Sequence, residues 1–502
     1  MKLDKEFIEQ VTCDNYKCIF ENLLNAKTDA YTNEIKLPMG VDGLKFDNIK
    51  RNIDLISKSF CKRAKEGRYV FSPFREIQIP KAPYTMFEFK QAQKEGKLRT
   101  LAISTINDTI FQSMIYSVAY VYIERKFYKK IDDNIFGYRK EKSVYSAIEK
   151  IKKYIDEGYV YGLDGDIEKY FDNIDHQRLY NKIQRMFGKN TLITKYLKRF
   201  IKVKRVSVEN RKKVTDYLYK KPITTPRNIG IPQGGVLSGM LANLYLHNFD
   251  LYIVNNLSSK YDIQYIRYAD DFIILCKDPN IIIELYKKIK SYMKREKLNL
   301  HDIDLSAIDG SVPNENKTKA INLQQSHYVE FLGFRISPKY IGVKKDNIIK
   351  FKKNIKHIIQ NSLKEKVEFK VIISRINAKI YGNASYANGL FSGCKVCNLP
   401  QKPQSWISFF IGITDMRIFK NLDVWIRKQL FVCYRNMNNG KRLDKKYFRY
   451  GHYISTTYAY YHYNLQSLFE TAIFIKNWYK KYPKAEFCEC KKFVPDFGGW
   501  IS

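Results

Sequence analysis

The chain has 502 residues, enough to bury a substantial core and to form about two to four subdomains. Its 45% hydrophobic content excludes a disordered chain, and 88 Lys+Arg against 51 Asp+Glu leave a net charge of +37, which favours a polyanionic partner. No apolar run approaches the ~18 residues of a spanning helix, and Met1-Lys2-Leu3-Asp4-Lys5-Glu6 holds no apolar signal core, so neither a membrane partner nor a leader is expected. Nine cysteines, an odd number scattered thinly, fit a reducing cytoplasm. Cys394-x-x-Cys397 and Cys488-x-Cys490 lack zinc-finger spacing, so zinc is disfavoured.

In chain order, residues 1–70 read as a helical extension with a turn at Gly40-Val41-Asp42-Gly43. Residues 70–80 read as an extended strand closed by Pro80, and residues 97–103 alternate as a second strand. A helix is predicted from Asn107 to about Phe127. A strand over 159–165 leads into Asp166, and helices follow over 175–187 and 236–256. From about residue 345 the pattern is mainly helical. The last 162 residues carry 29 Lys+Arg and 10 Asp+Glu, so a basic appendage that grips phosphates is expected there.

The chemistry concentrates in three stretches. In Tyr265-Ile266-Arg267-Tyr268-Ala269-Asp270-Asp271-Phe272-Ile273-Ile274-Leu275, two acids sit between β-branched and aromatic runs, the pattern of a hairpin with carboxylates at its turn. Hard divalent cations bind oxygen ligands, and a pair of them clamps the attacking and leaving oxygens of a phosphoryl transfer. An isolated Asp-Asp is more often a solvated turn, so the reading needs partners. Asp166, at a strand end, supplies one. Asp164, Asp172 and Asp175 are alternatives, although Asp172 and Asp175 are better placed to cap the following helix. Between the acids lies Gly230-Ile231-Pro232-Gln233-Gly234-Gly235, a tight loop opening into a helix.

In this order the blocks resemble a reverse transcriptase of the bacterial, group II intron-like type. The resemblance runs over about residues 36–435. It includes Gly96-Lys97-Leu98-Arg99-Thr100 with Asp108 and Gln112, and Phe136-Gly137-Tyr138-Arg139. It continues through the segments around Asp166, Gln233 and Asp270-Asp271, then Glu315-Asn316-Lys317-Thr318 and Glu330-Phe331-Leu332-Gly333-Phe334. Tyr381-Gly382 and Phe419 to Ile426 resemble a thumb or maturase region.

The resemblance implies an α+β right-hand polymerase. Fingers over 71–165 would follow the extension of residues 1–70. The palm over 166–338 would hold an antiparallel sheet with the Tyr268-Ala269-Asp270-Asp271 hairpin, before an all-α thumb over 339–440 and a basic, aromatic helical tail over 441–502. Asp166, Asp270 and Asp271, with the backbone of Ile167, would hold two Mg²⁺ ions, with Mn²⁺ as the substitute. Lys97 and Arg99 would cradle the incoming dNTP, and Gln233 and Gly234 would meet the nucleotide or its template base. Phe171 would crowd a ribose 2′-hydroxyl, Lys317 would protonate the leaving pyrophosphate, and Leu332-Gly333 would form the primer grip.

Two departures stand out: Thr100 occupies a position where the family has proline, and Lys81 to Glu95 forms an extra segment. No His-Asn-His nuclease pattern follows the thumb. These favour a defence-associated enzyme that copies a dedicated structured noncoding RNA into DNA, primed by RNA, DNA or a tyrosine hydroxyl. The competing expectations are a group II intron-encoded reverse transcriptase/maturase and a non-catalytic RNA-binding maturase. Homo-oligomers are compatible with all three. The aromatic tail, from Tyr453 through Tyr458, Tyr460, Tyr461, Tyr463, Trp478, Tyr479 and Tyr482 to Trp500, is expected to serve packing more than base stacking.

Overall fold

The structure is a computed structural model, and it describes residues 2–27, 40–127, 130–208, 223–314, 316–324, 328–381, 405–444, 448–451 and 463–481. Among these, one compact unit holds residues up to Ile79 and Arg99–Leu332, and a second holds Pro80–Leu98 and the described residues from Gly333 onward. The helices are α1 (Lys2–Gln10), α2 (Cys13–Lys27), α3 (Phe46–Arg51), α4 (Ile53–Lys65), α5 (Phe89–Lys94), α6 (Ile106–Phe127), α7 (Val144–Asp156), α8 (Tyr170–Asn173) and α9 (His176–Phe187). They continue as α10 (Leu192–Ile201), α11 (Ser238–Tyr252), α12 (Ile282–Arg295), α13 (Ser306–Asp309), α14 (Lys345–Lys364), α15 (Phe369–Tyr381), α16 (Trp406–Phe409), α17 (Arg417–Met437) and α18 (Leu468–Lys481).

In the first unit, β1 (Phe74–Pro80), β2 (Leu98–Ile103) and β4 (Arg205–Val206) form a small sheet in the order β2-β1-β4. The larger sheet has five strands: β3 (Tyr161–Asp166), β5 (Ile263–Tyr268), β6 (Asp271–Cys276), β7 (Ile303–Asp304) and β8 (Thr318–Asn322), in the order β5-β6-β3-β8-β7. Its centre is antiparallel. Asp166 of β3 pairs with Asp271 of β6, and Asp271 also pairs with Tyr268 of β5.

Strand β6 is buried from Phe272 to Cys276: α11 covers one face through Phe249 on Phe272, and β3 and β5 pair along both edges. α11 is buried nearly all round, which explains its apolar composition without an amphipathic stripe. Glycine is required at Gly165: a Cβ there would fall 2.1 Å from the Phe272 ring, which lies across β3. The aromatic core continues through α6, where Phe111 contacts Phe60, Tyr69 and Tyr196. Asp175 caps α9, its Oδ1 accepting from the Arg178 N–H at 2.8 Å. Asp172 makes no such cap; its backbone packs against Gly230 instead.

The second unit contains β10 (Phe334–Ile336) and β11 (Ile341–Val343), paired antiparallel after β9 (Val329–Phe331) ends the first. Helices α14 to α18 follow the helical expectation. The tail adds a parallel pair, β12 (Phe448–Gly451) with β13 (Tyr463–Gln466), which no alternation in the sequence announces. Buried Asp423 of α17 accepts from the Ser467 hydroxyl and the Leu468 and Phe469 N–H groups, capping α18 from a distance.

The extra segment also folds within this unit. Lys353 of α14 pairs with Glu88 at 2.6 Å, and Phe87 stacks on the His357 ring at 4.0 Å. Both Tyr84 and Thr85 reach α14 as well, the first under Lys353 and the second against His357. No helix among the described residues is long and apolar enough to cross a membrane. The two Cys pairs weighed for zinc, Gly382, Glu315, and the tail aromatics other than Tyr463, Trp478 and Tyr479 lie outside the described residues.

Candidate active site

The hairpin β5–β6 turns on Ala269 and Asp270, and Ala269 has φ +61°, a conformation costly for a side chain other than glycine. A buried network holds it there. Arg267, fully buried on β5, donates Nη1 to the Ala269 carbonyl at 2.7 Å and forks onto Asp250 of α11 through Nε and Nη2, both at 2.7 Å. Asn243 accepts from Arg267 at 3.0 Å and donates to the Gly137 carbonyl at 2.7 Å. The Phe136 N–H donates to the Arg267 carbonyl at 2.9 Å, so the Phe136–Arg139 stretch is fastened behind the hairpin.

This brings Asp166, Asp270 and Asp271 together. Their carboxylate oxygens can all lie within 4.8 Å of one another, and among the described residues this is the grouping of acids that could hold a metal. Burial, then Asp270, Asp166 and Asp164, push the Asp271 carboxyl well above its ordinary range. Burial together with Asp166 raises Asp270, against the pull of Arg99 and Lys317. Three oxygen donors that repel one another are the donor set a divalent cation stabilises, so the residues fit such an ion. Asp164 faces this cluster electrostatically but stands outside the grouping.

Lys317 places Nζ 2.9 Å from Asp166 Oδ2. His301 joins them: its Nε2 lies 3.5 Å from Asp166 Oδ2 and 3.3 Å from Lys317 Nζ, while Nδ1 lies 3.4 Å from Glu168. The His301 N–H donates to the Asp166 carbonyl, and Ile167 forms a bridge with Leu300, so residues 299–301 run alongside the end of β3. Sequence reasoning missed His301, since no spacing links it to Asp166. It also assigned nothing to Arg267, although a lone arginine in an apolar strand is a signal for a buried acid.

Around the acids, Arg99 of β2 is within electrostatic reach of Asp270 and Asp271. Lys97 stands one residue before β2, exposed, and belongs to the second unit, where its N–H and carbonyl bond to Ala92 and Lys81. The loop at Gln233 docks by its backbone: the Gln233 carbonyl accepts from Ala102 of β2 at 2.7 Å. Gly234 has φ +103°, and Gln112 accepts from the Val236 N–H at 2.9 Å. Phe171, on α8, is buried, and its carbonyl accepts from Ile231 of the same loop. Leu332 and Gly333 both have positive φ, +50° and +86°, which makes a two-residue reversal. Gly333 lies in the second unit, where its carbonyl accepts from Lys344 and Asn347.

The chain is 29% identical over 249 residues to the group II intron-encoded protein LtrA of Lactococcus lactis subsp. cremoris, covering 50% of this chain and 35% of LtrA. It is 25% identical over 281 residues to protein YkfC of Escherichia coli, covering 50% of this chain and 66% of YkfC. An uncharacterized 91 kDa protein in the cob intron of Schizosaccharomyces pombe is 26% identical over 355 residues, 65% of this chain and 39% of that protein. The matches thus span about a third of LtrA, about two thirds of YkfC and about two fifths of the Schizosaccharomyces pombe protein. The family model for reverse transcriptase (RNA-dependent DNA polymerase) matches residues 79–336, just over half the chain and the stretch that carries all three aspartates, so the chain belongs to the reverse transcriptase family.

Proposed function

We propose that this chain is an RNA-directed DNA polymerase that adds deoxynucleotides to a 3′-hydroxyl on an RNA template. The observation that carries the reading is the convergence of Asp166, Asp270 and Asp271, with Lys317 on Asp166, in a chain of this family. Asp166, Asp270 and Asp271, with the Ile167 backbone, would hold two Mg²⁺ ions. When bound, such ions stabilise charge on the attacking and leaving oxygens. Arg99 and Lys97 would bind the triphosphate, and Gln233 and Gly234 would bound the base-pairing side. The 3′-oxygen attacks the α-phosphorus, the bond to the β-phosphate bridging oxygen breaks, and pyrophosphate leaves. The 3′-hydroxyl proton passes to solvent, and Lys317 would donate a proton to the pyrophosphate. Leu332 and Gly333 would meet the primer strand.

For the biological role we propose synthesis of DNA from a dedicated partner RNA in bacterial anti-phage defence. Thr100 and the Lys81–Glu95 segment support it as departures from the intron-type pattern. A second reading, a group II intron-encoded reverse transcriptase, is favoured by the name of the relative LtrA.

Sequencing the RNA and DNA that co-purify with wild type and with Asp270→Ala tests both levels. One enriched small RNA, with complementary DNA in wild type alone, is the expected result. Intron RNA would move the role to the second reading. RNA with no DNA, and no synthesis on a supplied primer and template, would overturn the polymerase reading.

A further inference from the structure

On the polymerase reading, Phe171 would exclude a ribose by crowding its 2′-hydroxyl. A wall excludes an added group by resisting overpacking, and it excludes less if it can swing away. The stiffness of Phe171 therefore decides how well it excludes a ribose, and the structure shows what stiffens it. Its ring makes edge contacts with Tyr170 at 5.6 Å and with Tyr138 at 6.1 Å. Tyr170 is buried on the core side, its hydroxyl donating to the Ala242 carbonyl at 2.6 Å. Tyr138 is different: it is 44% exposed, and its hydroxyl lies within electrostatic reach of Asp270, Tyr268, Arg99 and Asp271. It is the brace that faces the acids.

Tyr138 is itself held in place. Its φ of +58° is one that a tyrosine adopts only under constraint from its surroundings. Its ring packs against α11 at Gly239, where an added Cβ would fall 2.3 Å from the ring. The preceding Gly137 is pressed against the strained turn, where an added Cβ would fall 2.4 Å from the Ala269 nitrogen, and is tied to Asn243. The same buried network that holds Asp270 thus also holds Tyr138.

We infer that Tyr138 is a positioning residue for sugar selection: it wedges between Gly239 and Phe171 and keeps the Phe171 ring where a 2′-hydroxyl would have to sit. The inference rests on the polymerase reading above. The aromatic ring does the work, and the tyrosine hydroxyl is dispensable for it.

The test measures kcat and KM for a dNTP and its matching rNTP on one primer and template. The proteins are wild type, Tyr138→Phe, Tyr138→Leu, Tyr138→Ser, Phe171→Val and Phe171→Val with Tyr138→Leu. Tyr138→Phe should keep the discrimination ratio of wild type. Tyr138→Leu and Tyr138→Ser should lower it by about tenfold, through a smaller rNTP KM. In the Phe171→Val background, Tyr138→Leu should change the ratio no further. An unchanged ratio in active Tyr138→Leu and Tyr138→Ser would overturn the inference and leave the polymerase reading standing. So would an additional drop on top of Phe171→Val. No synthesis by wild type would overturn both.

Discussion

The Arg267–Asp250 pair of the first unit and the Lys353–Glu88 pair of the second are built from the same chemistry and do different things. The first is fully buried on both sides, bidentate, and shared with Asn243, Tyr265 and the Ala269 carbonyl. Every polar atom of it has a place, and the hairpin that carries Asp270 and Asp271 hangs from it. The second leaves its side chains 30% and 23% exposed, beside a stacked Phe87–His357 pair. Removing one partner of a buried pair strands a charge in a medium that cannot solvate it. Removing one partner of a half-exposed pair lets water take over. The first pair therefore fixes geometry, whereas the second is one contact among several that hold its segment to α14 and costs little to lose by itself.

Breaking the buried pair gives the largest effect. Arg267→Met should destabilise the fold by about 3–5 kcal/mol, because Asp250 is left uncompensated. Chemical denaturation with two probes measures this, and a loss below about 1 kcal/mol would show that Asp250 finds another partner. The double variant Arg267→Met with Asp250→Leu should recover much of that stability without restoring synthesis. The turn at Ala269 would still lack its donor. Recovery of synthesis would sink the claim that Arg267 positions the hairpin.

A middle effect is expected at the edge of the acid cluster. Lys317 is mostly exposed, so Lys317→Met should leave stability within ~0.5 kcal/mol. It should lower kcat by about a hundredfold with little change in dNTP KM. A change confined to KM would assign Lys317 to binding instead of proton donation.

The smallest effect separates the two pairs most sharply. Glu88→Gln should cost about 0–1 kcal/mol and leave single-nucleotide addition near wild type. Guanidinium melts together with a single-turnover assay read this out. A cost of several kcal/mol would mean that the clasp on α14 is as structural as the Arg267 network.

Much of the site could be read in the order of the blocks. The acids of β3 and the β5–β6 hairpin are local patterns: alternating strands, a turn, and carboxylates at strand ends. The same holds for α6, α9 and α11, whose boundaries fall within a few residues of those expected. His301 could not be read, because it reaches Asp166 only through the pairing of Leu300 with Ile167. Tyr138 was visible as part of a block, but its ring contacts with Gly239 and Phe171 were not.

By itself, the sequence determined the strands and helices that carry and flank the acids, that those acids stand at strand ends, and that the chain is strongly basic. Those properties arise from the backbone and from neighbours a few residues away, and periodicity and turn chemistry record them. Only the tertiary structure decided that Lys81–Glu95 folds onto α14, that Asp423 caps a helix 45 residues later, and that one arginine holds the hairpin turn. Each of these joins groups far apart in the chain or buried away from water, so its energy depends on burial and alignment, and none exists until the core has packed.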